Sequence, residues 1–147
     1  MKKQILTSAL LLLLSLVMIL AFVACAKKVP AEGIWESATY RADKTLGKGE
    51  KTITFKVTAA EQTVTFTIKT DKETLADALL EHDLIAGEDS KYGLMVETVN
   101  GMTAKYDEGY WWALYEGDQM SLWGVSLLTI KDGGEYTFTR VAADAMG

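Results

Sequence analysis

The stretch Lys51–Lys69, KTITFKVTAAEQTVTFTIK, carries the clearest periodicity in the chain and decides its fold class. Apolar residues alternate with Thr and Lys in Lys51–Thr58 and again in Gln62–Lys69, and Ala59–Glu61 separates the two runs. A period of two places the apolar side chains on one face of a strand. The stretch therefore predicts two half-buried strands joined by a short turn.

Directly after this stretch the apolar period lengthens to that of a helix. Thr74 precedes apolar residues at helical spacing, and Asp77 stands three positions later, as in a capping box. Gly87 is the predicted stop beyond the last turn. We expect this helix to lie across the sheet.

The second half of the chain contains further strand signals. Tyr92–Val99 predicts a strand that closes at the turn dipeptide Asn100-Gly101, and Tyr110–Tyr115 predicts a strand rich in aromatic residues. Trp123–Ile130 reads as a strand or as an irregular approach to one. Glu135–Val141 predicts the final strand, after a tight turn at residues 131–134.

The residues before the alternating stretch give weaker signals. Ile34–Tyr40 predicts a first strand, and Asp43–Glu50, with two Gly and alternating charges, predicts a loop. A strand pair, one helix and then three or four strands indicate an α+β fold. We expect a mixed or antiparallel sheet with one packed helix in a β-grasp-like arrangement.

Aromatic residues concentrate in Tyr106–Gly124, YDEGYWWALYEGDQMSLWG, which holds three of the four Trp and three of the six Tyr residues. In a strand, one face would carry Tyr110, Trp112 and Leu114, and the other would carry Trp111, Ala113 and Tyr115. Such a strand is either covered on both sides, or it has one face in the core and offers the other to a ligand or partner.

The first residues have the composition of a targeting segment. Lys2 and Lys3 precede the apolar run Ile5–Ala24, which fits a secretory signal or an uncleaved membrane anchor. The sequence Phe22–Cys25, FVAC, resembles a bacterial lipobox and favours the signal. We therefore expect a lipoprotein signal peptide over residues 1–24, an acylated Cys25 that inserts into the lipid bilayer, and an extracytoplasmic location.

Two further boundaries follow from this interpretation. Residues 25–33 are the predicted lipidated Cys and polar tether, and residues 34–147 are the predicted single domain. The net charge of −5 excludes nucleic acid as a partner, because an acidic surface gains nothing from counterion release. The single Cys excludes an intrachain disulfide and a multi-cysteine metal site.

The titratable residues give no catalytic pattern. His82, the only His, lies between two carboxylates and reads as a solvated residue of the predicted helix. Asp107, Glu108, Glu116 and Asp118 bracket the aromatic strand without a calcium-loop spacing. We expect no enzyme activity, no metal and no cofactor; a hydrolase that uses an acid/base pair of these carboxylates is a distant alternative.

Several short motifs together resemble the transcobalamin C-terminal-like domain of bacterial surface lipoproteins. They occur in the family's order at Leu75–Leu80, Tyr92–Val96, Val99–Gly101, Tyr110–Trp112, Tyr115–Gly117, Gly124–Ser126 and Ile130–Gly133. The resemblance covers roughly residues 51–141. Glu116-Gly117 replaces the family's usual Asn-Gly, and Gly133-Gly134 replaces its usual Gly-Asp, so side-chain ligand contacts at these two turns are not carried over.

The resemblance implies a ligand-binding or assembly module. In vitamin B12 carriers such a domain forms one wall of a cobalamin site, so cobalamin or another corrinoid is a carried-over ligand, held for uptake with a membrane transporter. The candidate ligand-binding residues are Tyr110, Trp111, Trp112, Tyr115, Trp123 and Asn100. The alternative is a surface protein–protein interaction module without a small-molecule ligand.

Overall fold

The structure is a computed structural model that describes Lys3, Gln4, Ser8 and residues 27–146. Cys25 and most of the predicted signal peptide lie outside the described residues. The elements are β1 (Lys44–Gly47), β2 (Lys51–Ala59), β3 (Gln62–Thr70), α1 (Leu75–Leu80), β4 (Ile85–Ser90), β5 (Gly93–Val99), β6 (Met102–Thr103), β7 (Tyr110–Glu116), β8 (Gln119–Met120) and β9 (Glu135–Ala142). In the described part, no helix has the length and apolarity of a membrane span.

The strands form two sheets. The larger has the order β1-β3-β2-β9-β7-β8, and the smaller has the order β4-β5-β6. β1 is parallel to β3 and β9 is parallel to β2, whereas β7 is antiparallel to β9, so the larger sheet is mixed. This sheet curls into a half-barrel and, with one small helix, confirms a broadly α+β fold. The β-grasp-like arrangement stays a prediction.

The alternating stretch forms the predicted hairpin. β2 and β3 pair antiparallel with Phe55 opposite Phe66, and the apolar side chains of both strands are buried. The turn residues Ala60 and Glu61 have φ values of 47° and 63°. Period-two alternation is reliable here because one face of each strand meets the core and the other meets solvent.

Helix α1 begins as predicted and ends earlier. The Oγ1 of Thr74 accepts a hydrogen bond from the backbone N–H of Asp77 at 3.2 Å. The helix ends at Leu80, so the prediction of Gly87 as its stop is wrong. Gly87 lies in β4 at a bulge, where an added Cβ would lie 1.8 Å from the carbonyl oxygen of Met95. Glycine is required there by this close approach.

Residues 123–130 form an irregular segment over the start of α1. Within it, only Thr129 makes a β-bridge, to Thr74. The backbone N–H groups of Leu75 and Ala76 donate to the carbonyl oxygens of Leu128 and Val125. The segment thus satisfies helix-terminal donors that have no partner within the helix.

Two predictions for the N-terminal region are wrong. The predicted strand Ile34–Tyr40 contains a 3-10 turn, Gly33–Ser37, whose Trp35 is buried and donates its indole N–H to the Ala59 carbonyl at 2.9 Å. The burial of this one large side chain accompanies the 3-10 turn. The weak alternation of apolar and polar residues in Ile34–Tyr40 did not predict that turn. The predicted loop Asp43–Glu50 contains β1, a short edge strand whose pairing partner is distant in sequence.

Candidate functional site

The free edges of two strands border a groove of about 490 Å³. β7 pairs with β8 only at its last two residues, and β5 pairs with β6 only at its last two. Between the remaining parts of the two strands, the groove is lined mainly by apolar residues, among them Leu94, Val96, Trp112, Leu114, Val125 and Phe138. We call this feature the β5–β7 groove.

Trp112 lines the groove and is also part of the hydrophobic core. Its side chain is 6% exposed, and its indole N–H donates to the Glu97 carbonyl at 3.1 Å. Its ring meets that of Phe138 edge-on, with a centroid distance of 6.5 Å. Because the indole N–H already has a partner across the groove, Trp112 offers a ligand an apolar ring rather than a hydrogen-bond donor.

Strand register decides which face of β7 points inward. Trp112 lies opposite Arg140 and Leu114 lies opposite Phe138, so the set with Tyr110, Trp112 and Leu114 shares the core side of β9. Trp111 and Tyr115 lie on the other face and are half-buried. The Nε1 of Trp111 is buried and has no hydrogen-bond partner. The candidate residues of β7 therefore alternate between two faces, and of these Trp111 and Trp112 line the groove, whereas Tyr110 and Tyr115 do not.

Tyr110 stands at the start of β7 and is partly exposed. The guanidinium of Arg140 lies over its ring at 3.7 Å from the centroid, and the Nε of Arg140 donates to the Thr103 carbonyl at 3.3 Å. This cation–π contact fixes the orientation of the phenol ring. Tyr110 is not among the residues that line the groove.

Exposed apolar side chains form the rim of the groove. Trp123 is 60% exposed, and Met95 and Tyr106 are also largely exposed while lining the groove. The hydroxyl of Ser121 accepts from the Trp123 N–H and donates to the Trp123 carbonyl, which holds the loop in place. Ser126 accepts from the Leu94 N–H at 3.0 Å and so ties the same loop to β5.

Asn100 lies away from this groove and is fully buried. Its Oδ1 accepts from the Tyr40 N–H at 2.9 Å, and its Nδ2 donates to the Tyr40 carbonyl at 2.8 Å. Its backbone φ is 51°, a value tolerated by Asn in tight turns. The amide of Asn100 therefore holds the N-terminal segment to the β5–β6 turn.

The titratable residues form no cluster in the described part of the chain. No group of three or more His, Cys, Asp and Glu residues is arranged to hold a metal ion there. The carboxylates Asp107, Glu108, Glu116 and Asp118 are all exposed. His82 follows the helix instead of lying on it, and its side chain is only 17% exposed, with Nε2 4.0 Å from a Glu81 oxygen. Its description as a solvated helix residue is wrong, because the chain packs it beside Gly47 of β1.

Of the residues predicted from the sequence, Trp111, Trp112 and Trp123 line the groove, whereas the residues of its other wall were not predicted. Leu94, Met95 and Val96 lie in the predicted strand Tyr92–Val99, and Tyr106 lies in the aromatic stretch, but neither pattern indicated that they meet. A usable signal was present in residues 122–128, where apolar side chains accumulate without strand or helix periodicity. Such side chains either pack irregularly or stay exposed, and this segment does both.

No family model matches the chain, and no curated protein is significantly similar to it. Solved structures do share its fold. One is a protein from Ruminococcus gnavus ATCC 29149, described provisionally as metal binding, with a TM-score of 0.61 and 28% identity over 63% of this chain and 98% of that one.

Another similar structure is haptocorrin in complex with Cbi, with a TM-score of 0.50 and 15% identity. The match covers 66% of this chain and 26% of haptocorrin, so the chain corresponds to about a quarter of that protein. At this identity the likeness concerns the fold. The chain thus folds like part of a transcobalamin-family protein.

Proposed function

We propose that this domain is a non-enzymatic binding module of the transcobalamin C-terminal-like family, and that it holds a small amphipathic molecule in the β5–β7 groove. The observation that carries the proposal is the apolar groove itself, open to solvent and bordered by Trp112, Trp123 and Tyr106. Its volume of about 490 Å³ lies within the range of ligand pockets, roughly 300–1,000 Å³. The fold that the chain shares with haptocorrin supports the family assignment.

The strand order supports the β-grasp-like part of this proposal. Five of the strands lie side by side in the order β3-β2-β9-β7-β8. Among these five, β2 comes first in the sequence and β9 comes last, and these two are adjacent and parallel in the middle of the sheet. α1 follows the β2–β3 hairpin, and β7 and β8 complete the other side. These are the connections expected of that arrangement.

A corrinoid is the ligand that we propose first. Haptocorrin was solved in complex with Cbi, and the match covers only part of that protein. The aromatic rings at the groove suit a broad, flat ligand, because Trp and Tyr combine large contact area with a polar edge. A corrinoid would rest on one wall here, with its second face free for another protein, such as a membrane transporter.

The proposed module is anchored outside the cytoplasm through an acylated Cys25. The supporting observation is the sequence FVAC after an apolar run, since Cys25 lies outside the described residues. Two or three acyl chains meet the requirement of two signals for stable membrane attachment.

Isothermal titration of the mature chain beginning at Ala26 with cobinamide and cobalamin tests the ligand. We expect binding heat with at least one of them, and Trp123→Ala should weaken it by about tenfold or more, because a buried aromatic contact is a frequent hot spot. Tyr92→Ala is the matched control, since Tyr92 is an exposed aromatic residue that does not line the groove. Absence of both heat and thermal stabilisation with either compound would exclude the corrinoid.

One observation favours a protein–protein interaction module as the second candidate. Leu122 is 93% exposed and Leu127 is 61% exposed, and neither lines the groove. Exposed apolar side chains that are grouped together mark interaction surfaces. Sedimentation of the same soluble chain over a hundredfold concentration range tests this candidate, which predicts self-association or capture of a membrane partner.

A further inference from the structure

From Val29 onward, the chain is part of the folded domain. Val29 is 6% exposed, its N–H donates to the Arg41 carbonyl at 2.6 Å, and its own carbonyl accepts from Nη1 of Arg41 at 3.3 Å. The buried Trp35 adds a further attachment to β2. Contacts with the folded domain therefore begin at Val29, within the stretch 25–33 that the sequence predicts as a tether.

The chain enters the domain at one end of the larger sheet. Lys27 and Val29 line a shallow cavity of about 400 Å³ together with Asp43, Glu61 and Gln62. Glu61 and Gln62 belong to the β2–β3 turn. The entry point therefore lies at the sheet end that carries this turn, which we call the hairpin end.

Chain length then limits how far the domain can stand from the bilayer. Cys25 and Val29 are four residues apart, and a fully extended chain spans at most about 3.6 Å per residue, or roughly 14 Å over this interval. β2 alone, with nine residues, is about 30 Å long at 3.3 Å per residue. The connection is thus shorter than the domain, whatever conformation residues 25–28 adopt.

We propose that the hairpin end rests on the lipid headgroup surface, a conclusion that depends on the proposed acylation of Cys25. The partner surface is the headgroup layer itself. Lys27 and Lys28 are exposed at the point of entry, where their attraction to anionic headgroups acts against the repulsion of the exposed carboxylates Asp43 and Glu61. No additional domain or linker is needed to hold the module there.

This orientation also places the β5–β7 groove relative to the membrane. In the register of the sheet, Thr58 lies opposite Thr139, and Trp112 lies opposite the next residue, Arg140, so Trp112 is level with the hairpin end. Glu116 lies opposite Tyr136, which is four residues before Arg140 in β9 and so farther from the hairpin end. The groove thus opens beside the bilayer with its Trp112 end toward the lipid and its Trp123 end away from it.

Fluorescence quenching by headgroup-labelled nitroxide lipids tests this orientation in the full acylated protein, reconstituted in vesicles of phosphatidylethanolamine and phosphatidylglycerol. Acylation consumes the only native thiol, so one engineered Cys can be labelled alone. Gln62→Cys places the label at the hairpin end and Asp118→Cys places it near the opposite end; both positions are exposed. The two labels differ in height by about 20 Å along the strands, so quenching at position 62 should exceed that at position 118 at least about twofold.

A second variant tests whether the short connection between Cys25 and Val29 is what holds the hairpin end at the bilayer. Twelve Gly/Ser residues inserted between Lys28 and Val29 add a flexible segment of about 19 Å root-mean-square length. Quenching at position 62 should then fall toward the value at position 118. Equal quenching at the two positions of the uninserted protein would overturn the proposal.

The mass of the protein is measured before quenching. A chain without acyl groups would overturn the anchored orientation together with the proposed anchoring. Ligand titration of the soluble chain is independent of both, so failure of the groove as a binding site is recognised separately.

Discussion

The β2–β3 hairpin and the β5–β7 groove are both built from strands, but they differ in how far their apolar side chains are exposed to solvent. Every apolar side chain on the inner face of the hairpin is at most 1% exposed. Among the described residues, eight of the nine exposed large apolar side chains lie between Tyr92 and Leu127. The fold therefore completes its core at the hairpin and leaves apolar surface uncovered in the second half of the chain, both at the groove rim, at Met95, Tyr106 and Trp123, and on segments outside the groove. Surface of that kind is where an external molecule gains most from binding.

The largest effect that separates the two regions is expected at Phe66. Its ring is fully buried and stacks on Phe55 with a centroid distance of 5.8 Å. Phe66→Ala should lower the free energy of unfolding by about 3–5 kcal/mol, because lost burial and a cavity add together. Urea denaturation measures it. Trp123→Ala, a substitution of similar size at the rim, is the control and should cost less than about 1 kcal/mol. Similar losses for the two variants would contradict the division into a closed and an open region.

The second prediction concerns Asn100, which sequence reasoning placed among the ligand-binding residues. Asn100→Ala removes two partly buried hydrogen bonds to Tyr40 and places Ala at a φ of 51°, so it should destabilise the protein by about 2–3 kcal/mol. Thermal unfolding measures this loss. Asn100→Gly accommodates the backbone and should lose less than the Ala variant. A stable Asn100→Ala protein with impaired ligand binding would return this residue to the candidate site.

A smaller effect is expected at the cap of α1, which neither region contains. Thr74→Ala removes the hydrogen bond to Asp77 and should cost about 1 kcal/mol. Thr74→Ser keeps the hydroxyl and should restore most of this stability in denaturant titrations. If both variants are equally destabilised, the methyl group rather than the cap stabilises the helix start.

The smallest effect is expected at Leu122, which lies outside the groove. Leu122→Ser should change the free energy of unfolding by less than about 0.5 kcal/mol, since this side chain is almost wholly exposed. Under the protein–protein alternative it should weaken self-association in sedimentation experiments. A loss of stability instead would show that Leu122 packs against the domain.

Sequence reasoning succeeded where one local pattern determined the structure. The alternation in β2 and β3 and the Thr74 cap needed no knowledge of the rest of the chain. It failed at Trp35 and in β1, because a buried indole and a parallel partner 22 residues away are tertiary effects. The β5–β7 groove is also a tertiary effect that local sequence patterns do not predict. Its aromatic wall was visible in the composition, but the opposing wall is set by how two sheets come together.

The position of β9 has a consequence for the order of folding. This strand follows all the others in sequence, yet it lies between β2 and β7 and joins the two parts of the larger sheet. Its pairing with β2 spans about 80 positions, and such distant contacts form slowly. During synthesis the larger sheet cannot form completely until β9 has been made, because β9 pairs with both β2 and β7. Under the proposed anchoring outside the cytoplasm through Cys25, this late closure would keep the chain competent for export.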